Sequence, residues 1–441
     1  MMGALGVLVY HFLLAPVWLN LANWLFYVFI TAVFFYFCFR LADFYFIYLL
    51  FGPLIFYLFF QAVGPDYTPA LQLFGINVIL FFVTQFIFFG MAYIIILKDF
   101  TTPPRIAFNS LITLASTTAS FWVSLFFTSL FSSSLLYRPQ PLAGGWHLAF
   151  FAAVLLAGGL TRLFLPANRQ IEFALPKPLS RPVKRVILLN IDGCSLKKFL
   201  QVKKPYFEKL TKQGVFFQNG AATVYRGLTN PAFASILTGT VPKIHGVTDN
   251  NLGSRVKTRA LPDIVKTIIY GCVHMEQFAK KQWQVRVVSL PKYGFRADNL
   301  VLKWLKNDIV SNRARLFVAD LSSVDMAGHA YGSYSKEYLF QIKRADRLIG
   351  SFINWLKAKK YWQDSLVIIS SDHGMKIIDH TYLLFSEEKW VPLFFCGGLA
   401  KAGILFKSQP SIMDIAPTIS YALGVDYPKK MKARVLKEIF R

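Results

Sequence analysis

Two hydrophobic rhythms divide this chain. Up to about residue 166, apolar and aromatic residues run almost unbroken. A helix crossing a bilayer needs about 20 such residues, and the blocks 21–39, 44–63, 72–97, 106–135 and 146–166 meet that length. Residues 3–19, interrupted at Pro16, make a sixth span or one arm of a hairpin. The pattern therefore predicts a membrane α-helical bundle of five or six helices over 1–166, followed by a polar, proline-rich linker over 167–183. From 184 to 441 the rhythm shortens. VILLNI (186–191), VFF (215–217), VRVVSL (285–290), LFVADL (316–321), LVIIS (366–370) and PLFF (392–395) read as buried strands. Amphipathic stretches lie between several of them. In 336–357, Tyr338, Ile342, Ala345, Ile349 and Ile353 recur at helical spacing. Strands alternating with helices predict an α/β domain over 184–441, its mostly parallel central sheet flanked by helices and its ligand site at the carboxyl ends of the strands.

Charge sharpens the division. Of 48 Lys and Arg and 23 Asp and Glu, residues 1–165 hold only Arg40, Asp43, Asp66, Lys98, Asp99, Arg105, Arg138 and Arg162. The formal net charge of +25 thus belongs almost wholly to the C-terminal part, which is expected to attract polyanions or an anionic membrane surface. The four cysteines are Cys38, Cys194, Cys272 and Cys396. They lie too far apart for a CxxC metal site or a disulfide framework and read as small buried hydrophobes.

Three strands run straight into acidic or imidazole residues. VILLNI leads to Asp192-Gly193, LFVADLSS to Asp325-Met326-Ala327-Gly328-His329, and LVIISS to Asp372-His373-Gly374-Met375, with His380 soon after. In a parallel sheet these ends share one rim, so the side chains converge. Asp oxygens and His nitrogens are donors that Zn²⁺ accepts, three or four to an ion. In 226–250, Thr229 precedes Asn230-Pro231, and 231–237 reads as the first turns of a helix. A hydroxyl there is either an N-cap or, beside metal ions, a nucleophile at a position where a helix N-terminus favours phosphate. His11, His147 and His274 have no metal-like neighbours in sequence, and His245 reads as structural.

In combination, NIDG, TNPAFASILTGTVPKIHGV, DMAGH and SDHGM resemble the type I phosphodiesterase/nucleotide pyrophosphatase branch of the alkaline phosphatase superfamily. The resemblance covers most of 184–441 and implies an alkaline phosphatase-like domain with two divalent ions, zinc being the expected metal. By matching motif, one ion would be held by Asp192, Thr229, Asp372 and His373, and the other by Asp325, His329 and His380. Thr229 would be the nucleophile, and Asn250 would hold a phosphate oxygen. Two departures stand out. The family usually has Asn three residues after the nucleophile, where this chain has Ala232. The short spacing from His373 to His380 is more similar to the ethanolamine-phosphate transferases of glycolipid anchors.

The expectation is a membrane-anchored phosphodiesterase whose substrate is lipid- or glycan-linked, with membrane lipids as partners. The alternatives are a phosphoethanolamine- or phosphoglycerol-type headgroup transferase and a non-enzymatic basic membrane protein. No nucleic-acid-binding motif appears, so nucleic acid is not expected as a partner. Loop charges would put the catalytic domain in the cytoplasm. The layout resembles bacterial transferases that act outside it, and an extracytoplasmic domain is the reading adopted. A sulfatase is disfavoured, because its C-x-P-x-R segment is replaced by Thr229-Asn230-Pro231-Ala232-Phe233.

Overall fold

The computed structural model describes residues 82–117 and 173–441, apart from 251, 252, 382, 384 and 429, together with a few positions between 72 and 79. The chain divides into two compact units: residues 1–91 with 103–167, and residues 92–102 with 168–441.

In the first unit, a π-helical turn Gln85–Gly90 and most of the helix Thr102–Thr117 are described. Gly90 allows close approach, since a Cβ there would lie 2.4 Å from Pro103 Cα. Among the described residues, no helix is long and apolar enough to cross a membrane. The expectation of an integral multi-pass protein with an extracytoplasmic domain is corrected accordingly. The described helix of the 72–97 run passes through the π-helical turn into Met91–Leu97 and ends there, where Lys98 turns to φ 56° and Asp99 accepts from the N–H and hydroxyl of Thr101. The blocks 3–19, 21–39, 44–63 and 146–166, with 106–135 beyond Thr117, lie outside the described residues.

The second unit is the α/β domain. Its strands are β1 (Arg185–Ile191), β2 (Gly214–Phe217), β3 (Ala221–Ala222), β4 (Thr267–Gly271), β5 (Gln284–Val287), β6 (Leu316–Leu321), β7 (Ser365–Ser370), β8 (Trp390–Val391), β9 (Leu393–Gly397) and β10 (Ile404–Phe406). Eight form one sheet in the order β10-β2-β9-β7-β1-β6-β4-β5, and β3 pairs with β8. Every pairing in the large sheet is parallel except those of β9 with β2 and β7. The helices used below are α1 (Leu196–Gln201), α2 (Thr229–Thr238), α3 (His274–Phe278), α4 (Ala297–Ser311), α5 (Ser323–Tyr331), α6 (Lys336–Ala358) and α7 (Ile415–Leu423).

Side chains alternate across a strand, so β1 feeds two cores. Val186 and Leu188 pack with α2 and α7, while Ile187, Leu189 and Ile191 pack with α4, α5 and α6. A strand buried on both faces needs the near-continuous apolar run that 186–191 supplies. Helix α6 begins where Ser335 Oγ accepts from Tyr338 N–H, and it buries the Tyr338, Ile342, Ala345, Ile349 and Ile353 stripe.

Strands β7, β1 and β6 are neighbours in register, Asn190 lying opposite both Asp320 and Ser370. Their carboxyl ends therefore deliver Asp192, Asp325 and Asp372 to one rim. Two glycines make the convergence possible. Gly193 adopts φ 68°, and a Cβ there would lie 2.6 Å from Asp325 Oδ1. A Cβ on Gly374 would lie 1.9 Å from the Glu387 carbonyl oxygen.

Candidate active site

Helix α5 starts just past β6, and its 3.6-residue period puts Asp325 and His329 on one face. His329 Nε2 lies 3.4 Å from Asp325 Oδ2. The loop after β7 brings back His380, whose Nε2 is 3.2 Å from His329 Nε2 and 4.0 Å from Asp325 Oδ1. On the other side of Asp325, His373 Nε2 lies 3.3 Å from Asp372 Oδ2 and 3.5 Å from Asp192 Oδ1. Two donor groups result, Asp325–His329–His380 and Asp192–Asp325–His373, each with its ligand atoms within 4.8 Å of one another. Asp325 belongs to both. The imidazoles of His373 and His380 stack 3.7 Å apart between the groups.

The surroundings fix how these rings are used. His373 Nδ1–H donates to the Gly374 carbonyl at 2.9 Å, and His380 Nδ1–H to the Gly227 carbonyl at 2.5 Å. Each ring therefore turns the lone pair of Nε2 toward the carboxylates, as outer hydrogen bonds orient metal-binding histidines. Asp192 Oδ1, Asp325 Oδ1 and Asp372 Oδ2 are buried and accept no hydrogen bond. An unsatisfied buried acceptor costs about 1–3 kcal/mol, more when charged, so the donor set fits divalent cations. Electrostatics agree. Burial, then the charges of Asp372, Asp320 and Asp325, push the Asp192 carboxyl well above its usual range. Burial, then His373 and His329, hold His380 below the usual imidazole range and so in the neutral, ligating form.

Thr229 is the first residue of α2, with its Oγ1 3.4 Å from His373 Nε2. Of the two roles its position allowed, capping is not the one it plays: Leu228 is the capping residue, and no side chain caps α2. The next amide, Asn230 N–H, donates to Asn250 Oδ1 at 2.9 Å. Pro231 has no N–H, and Ala232 N–H is held by the Leu228 carbonyl. The rim in front of Thr229 is thus formed by Asn250 and the Asn230 amide.

The family model for type I phosphodiesterase/nucleotide pyrophosphatase matches residues 186–262 and 253–393. Over that stretch the α/β domain matches this family. Human (Homo sapiens) bis(5'-adenosyl)-triphosphatase ENPP4 is 24% identical over 238 residues, covering 45% of this chain and 51% of the relative. Ectonucleotide pyrophosphatase/phosphodiesterase family member 7 of Mus musculus is 23% identical over 298 residues, covering 56% and 66%. The chain spans about half the length of the first of these curated relatives. Among solved structures, murine ectonucleotide pyrophosphatase/phosphodiesterase 5 has a TM-score of 0.44 at 14% identity, over 55% of this chain and 95% of that one. Alkaline phosphatase PafA has a TM-score of 0.46 at 13% identity, over 61% and 100%.

Several residues of the site escaped sequence reasoning. Asn190 Nδ2 donates to Asp320 Oδ1 at 2.9 Å and Asp372 Oδ1 at 3.1 Å, holding two buried carboxylates together from beneath. His274 joins neither donor group, yet it is linked to the residue beside Thr229. Its Nδ1 is 3.1 Å from Gln277 Oε1, which also accepts from Asn230 Nδ2 at 3.1 Å. This chain of contacts runs from His274 to the residue that follows Thr229. Residues 92–102 belong to this unit too: Tyr331 OH donates to Asp99 Oδ2 at 2.7 Å, and Tyr93 packs against the core around α5. The signal for Asn190 was available in the polar break at the end of an otherwise apolar strand. Tyr93 carried none.

His245 is structural, as its sequence context suggested. Its Nε2 pairs with Ser235 Oγ at 2.9 Å, and Nδ1 accepts from Val247 N–H at 3.2 Å. Burial holds its pKa down to about 3. The unfolded chain takes up this proton near pH 6.5 while the folded chain refuses it, so stability falls as pH is lowered between those values. The loss is about 1.4 kcal/mol per pH unit, or about 2 kcal/mol from pH 6.5 to 5. Denaturant midpoints of wild type and His245→Gln across that range should diverge by this slope; parallel curves would refute it.

Proposed function

We propose that this chain is a metal-dependent phosphodiesterase in which Thr229 is the nucleophile. The observation that carries this reading is the buried, uncapped Thr229 hydroxyl 3.4 Å from His373, at the edge of a cluster holding three unsatisfied carboxylate oxygens. Asp192, Asp372 and His373, with Thr229, would hold one divalent ion, and Asp325, His329 and His380 the other. Asp325 is close enough to serve both groups. Zinc suits this mixture of carboxylate and imidazole donors. A pair of such ions supplies Lewis acidity for the attacking and leaving oxygens of an in-line displacement.

The chain's own residues do the rest. Thr229 Oγ1 attacks phosphorus, the bond to the leaving alcohol breaks, and a phosphothreonine forms on α2. Asn250 anchors the Asn230 amide through Oδ1, which leaves its Nδ2 hydrogens to donate to an equatorial phosphoryl oxygen. Gln277 and His274 hold the Asn230 side chain so that this donor edge does not swing away. Water, or an acceptor alcohol in a transferase, then releases the phosphoryl group.

The case for a lipid- or glycan-linked substrate rested on a membrane tether and goes with it. A human relative is named for acting on a bis-adenosyl triphosphate, which makes nucleotide diesters the first substrates to test. Nitrophenyl esters of a nucleotide, of phosphocholine and of phosphoethanolamine, assayed with added zinc, should release nitrophenol faster than a nitrophenyl monoester. Chelator should stop the release. No diester cleavage under any metal would overturn the proposal. Added glycerol or ethanolamine separates the two outcomes of the second step: a phosphorylated acceptor identifies a transferase, and free monoester alone a hydrolase.

A further inference from the structure

A second group of ionisable side chains lies on the same rim, outside the Asp/His cluster. Each segment that supplies the cluster also contributes to this group. Lys197 and Lys198 follow Asp192 on α1, Tyr334 follows His329 just past α5, and Lys376 and Glu387 flank His380 on the loop after β7. Lys198 Nζ lies 3.8 Å from the centroid of the Tyr334 ring. Lys376 Nζ lies 5.0 Å from the same ring and donates to its hydroxyl. Glu387 is shared: Lys197 Nζ is 2.8 Å from Oε1 and Lys376 Nζ 3.4 Å from the same oxygen.

Three ammonium groups therefore meet one carboxylate that two of them already occupy. Among the described residues, no carboxylate lies within ion-pair distance of Lys198, although Lys198 is only 7% exposed. A ring face offsets part of the cost of enclosing an ammonium, yet the two lysines gathered at that ring repel each other. Burial, then the charge of Lys197, lowers the Lys198 pKa, and Lys376 adds to the effect. Tyr334, by contrast, is 52% exposed, so the group opens to solvent. Its hydroxyl accepts from Lys376 and keeps its own proton free to donate.

We propose that Lys198, Lys376 and Tyr334 form an anion subsite that receives a phosphate-class dianion, either a second phosphate carried by the substrate or free inorganic phosphate. The excess of two positive charges matches a dianion. The group contains no arginine, so it offers converging lysine point charges, a common way of holding phosphate, rather than a planar fork.

The binding test uses the full chain stripped of metal by chelator, so that the Asp/His cluster does not contribute. Calorimetric titration with inorganic phosphate should show binding that Lys198→Met and Lys376→Met each weaken about tenfold or more. Methionine keeps the apolar stem packed, and thermal melts of each variant check that the fold is intact. Thr229→Ala should bind phosphate as wild type does. Unchanged affinity in both methionine variants would overturn the subsite.

The kinetic arm alone rests on the diesterase reading. It compares nitrophenyl diesters with and without a second phosphate on the retained alcohol. If the substrate brings the phosphate, wild type prefers the doubly phosphorylated ester about tenfold, and Lys198→Met loses that preference while cleaving the plain ester normally. If free phosphate is the ligand, the preference is absent, and the response of turnover to added phosphate disappears in Lys198→Met. Should the diesterase reading fail, neither ester is cleaved by any variant, and the calorimetric result still decides the subsite.

Discussion

Replacing Thr229 with Ala should leave a folded, metal-binding protein that turns over phosphodiesters at least about 10³-fold more slowly, since losing a nucleophile removes the step that every later one depends on. The fold should tolerate the change. Thr229 is at the first position of α2 without a capping hydrogen bond, and alanine is the better helix former. The aspartates and histidines that make up the two donor groups all remain. Thr229→Ser, which keeps the hydroxyl, should recover much of the lost rate. The measurement is kcat/KM on a nitrophenyl nucleotide diester, with metal content and melting temperature determined on the same preparations. A Thr229→Ala enzyme within tenfold of wild type would remove Thr229 from the chemistry, and water activated at the cluster would have to replace it.

The parts of this site that were legible in the sequence are those whose chemistry is written next to a strand. Asp192, Asp325, Asp372 and His373 each follow a short apolar run, and a parallel sheet aligns the ends of such runs without further information. The buried runs at β1, β6 and β7 were recognisable because a strand covered on both faces has no polar alternation. Strand β4 (TIIYG) obeys the same rule but is short, and the His274 that follows it has no metal-like neighbours in sequence. Strand β9 reads like its neighbours, and nothing in its composition says that it runs antiparallel to both. Three-dimensional closure was harder to read. The place of Asp325 in both donor groups depends on Gly193 letting the α5 backbone approach within a few ångströms. His274 looked isolated because its link to Asn230 runs through Gln277 on its own helix, which Asn230 reaches only when α3 packs beside α2. The apolar blocks before residue 166 predicted spans, whereas among the described residues no helix is both long and apolar enough to cross a membrane; hydropathy alone counts apolar residues.

Asp192→Asn should invert the usual sign of a destabilising mutation, depending on whether metal is present. Asp192 is 2% exposed, one of its oxygens has no hydrogen-bond partner, and Asp372, Asp320 and Asp325 all repel its charge when no cation offsets it. Neutralising it relieves that repulsion. With chelator present, the variant should therefore melt higher than wild type, by about 2–4 °C for about 1–2 kcal/mol in a domain of this size. With saturating zinc the order should reverse. Metal that binds only the folded chain adds RT ln(1 + [L]/Kd), about 4 kcal/mol at a thousandfold excess over Kd, and a site that has lost a carboxylate forfeits much of it. Activity should fall about 100-fold or more, and bound metal should drop from two ions per chain toward one. Melting curves with and without chelator read both signs in one experiment. If Asp192→Asn and wild type shift equally on chelation, Asp192 is an ordinary buried acid rather than a ligand, and the donor group it shares with Asp325 and His373 holds no metal.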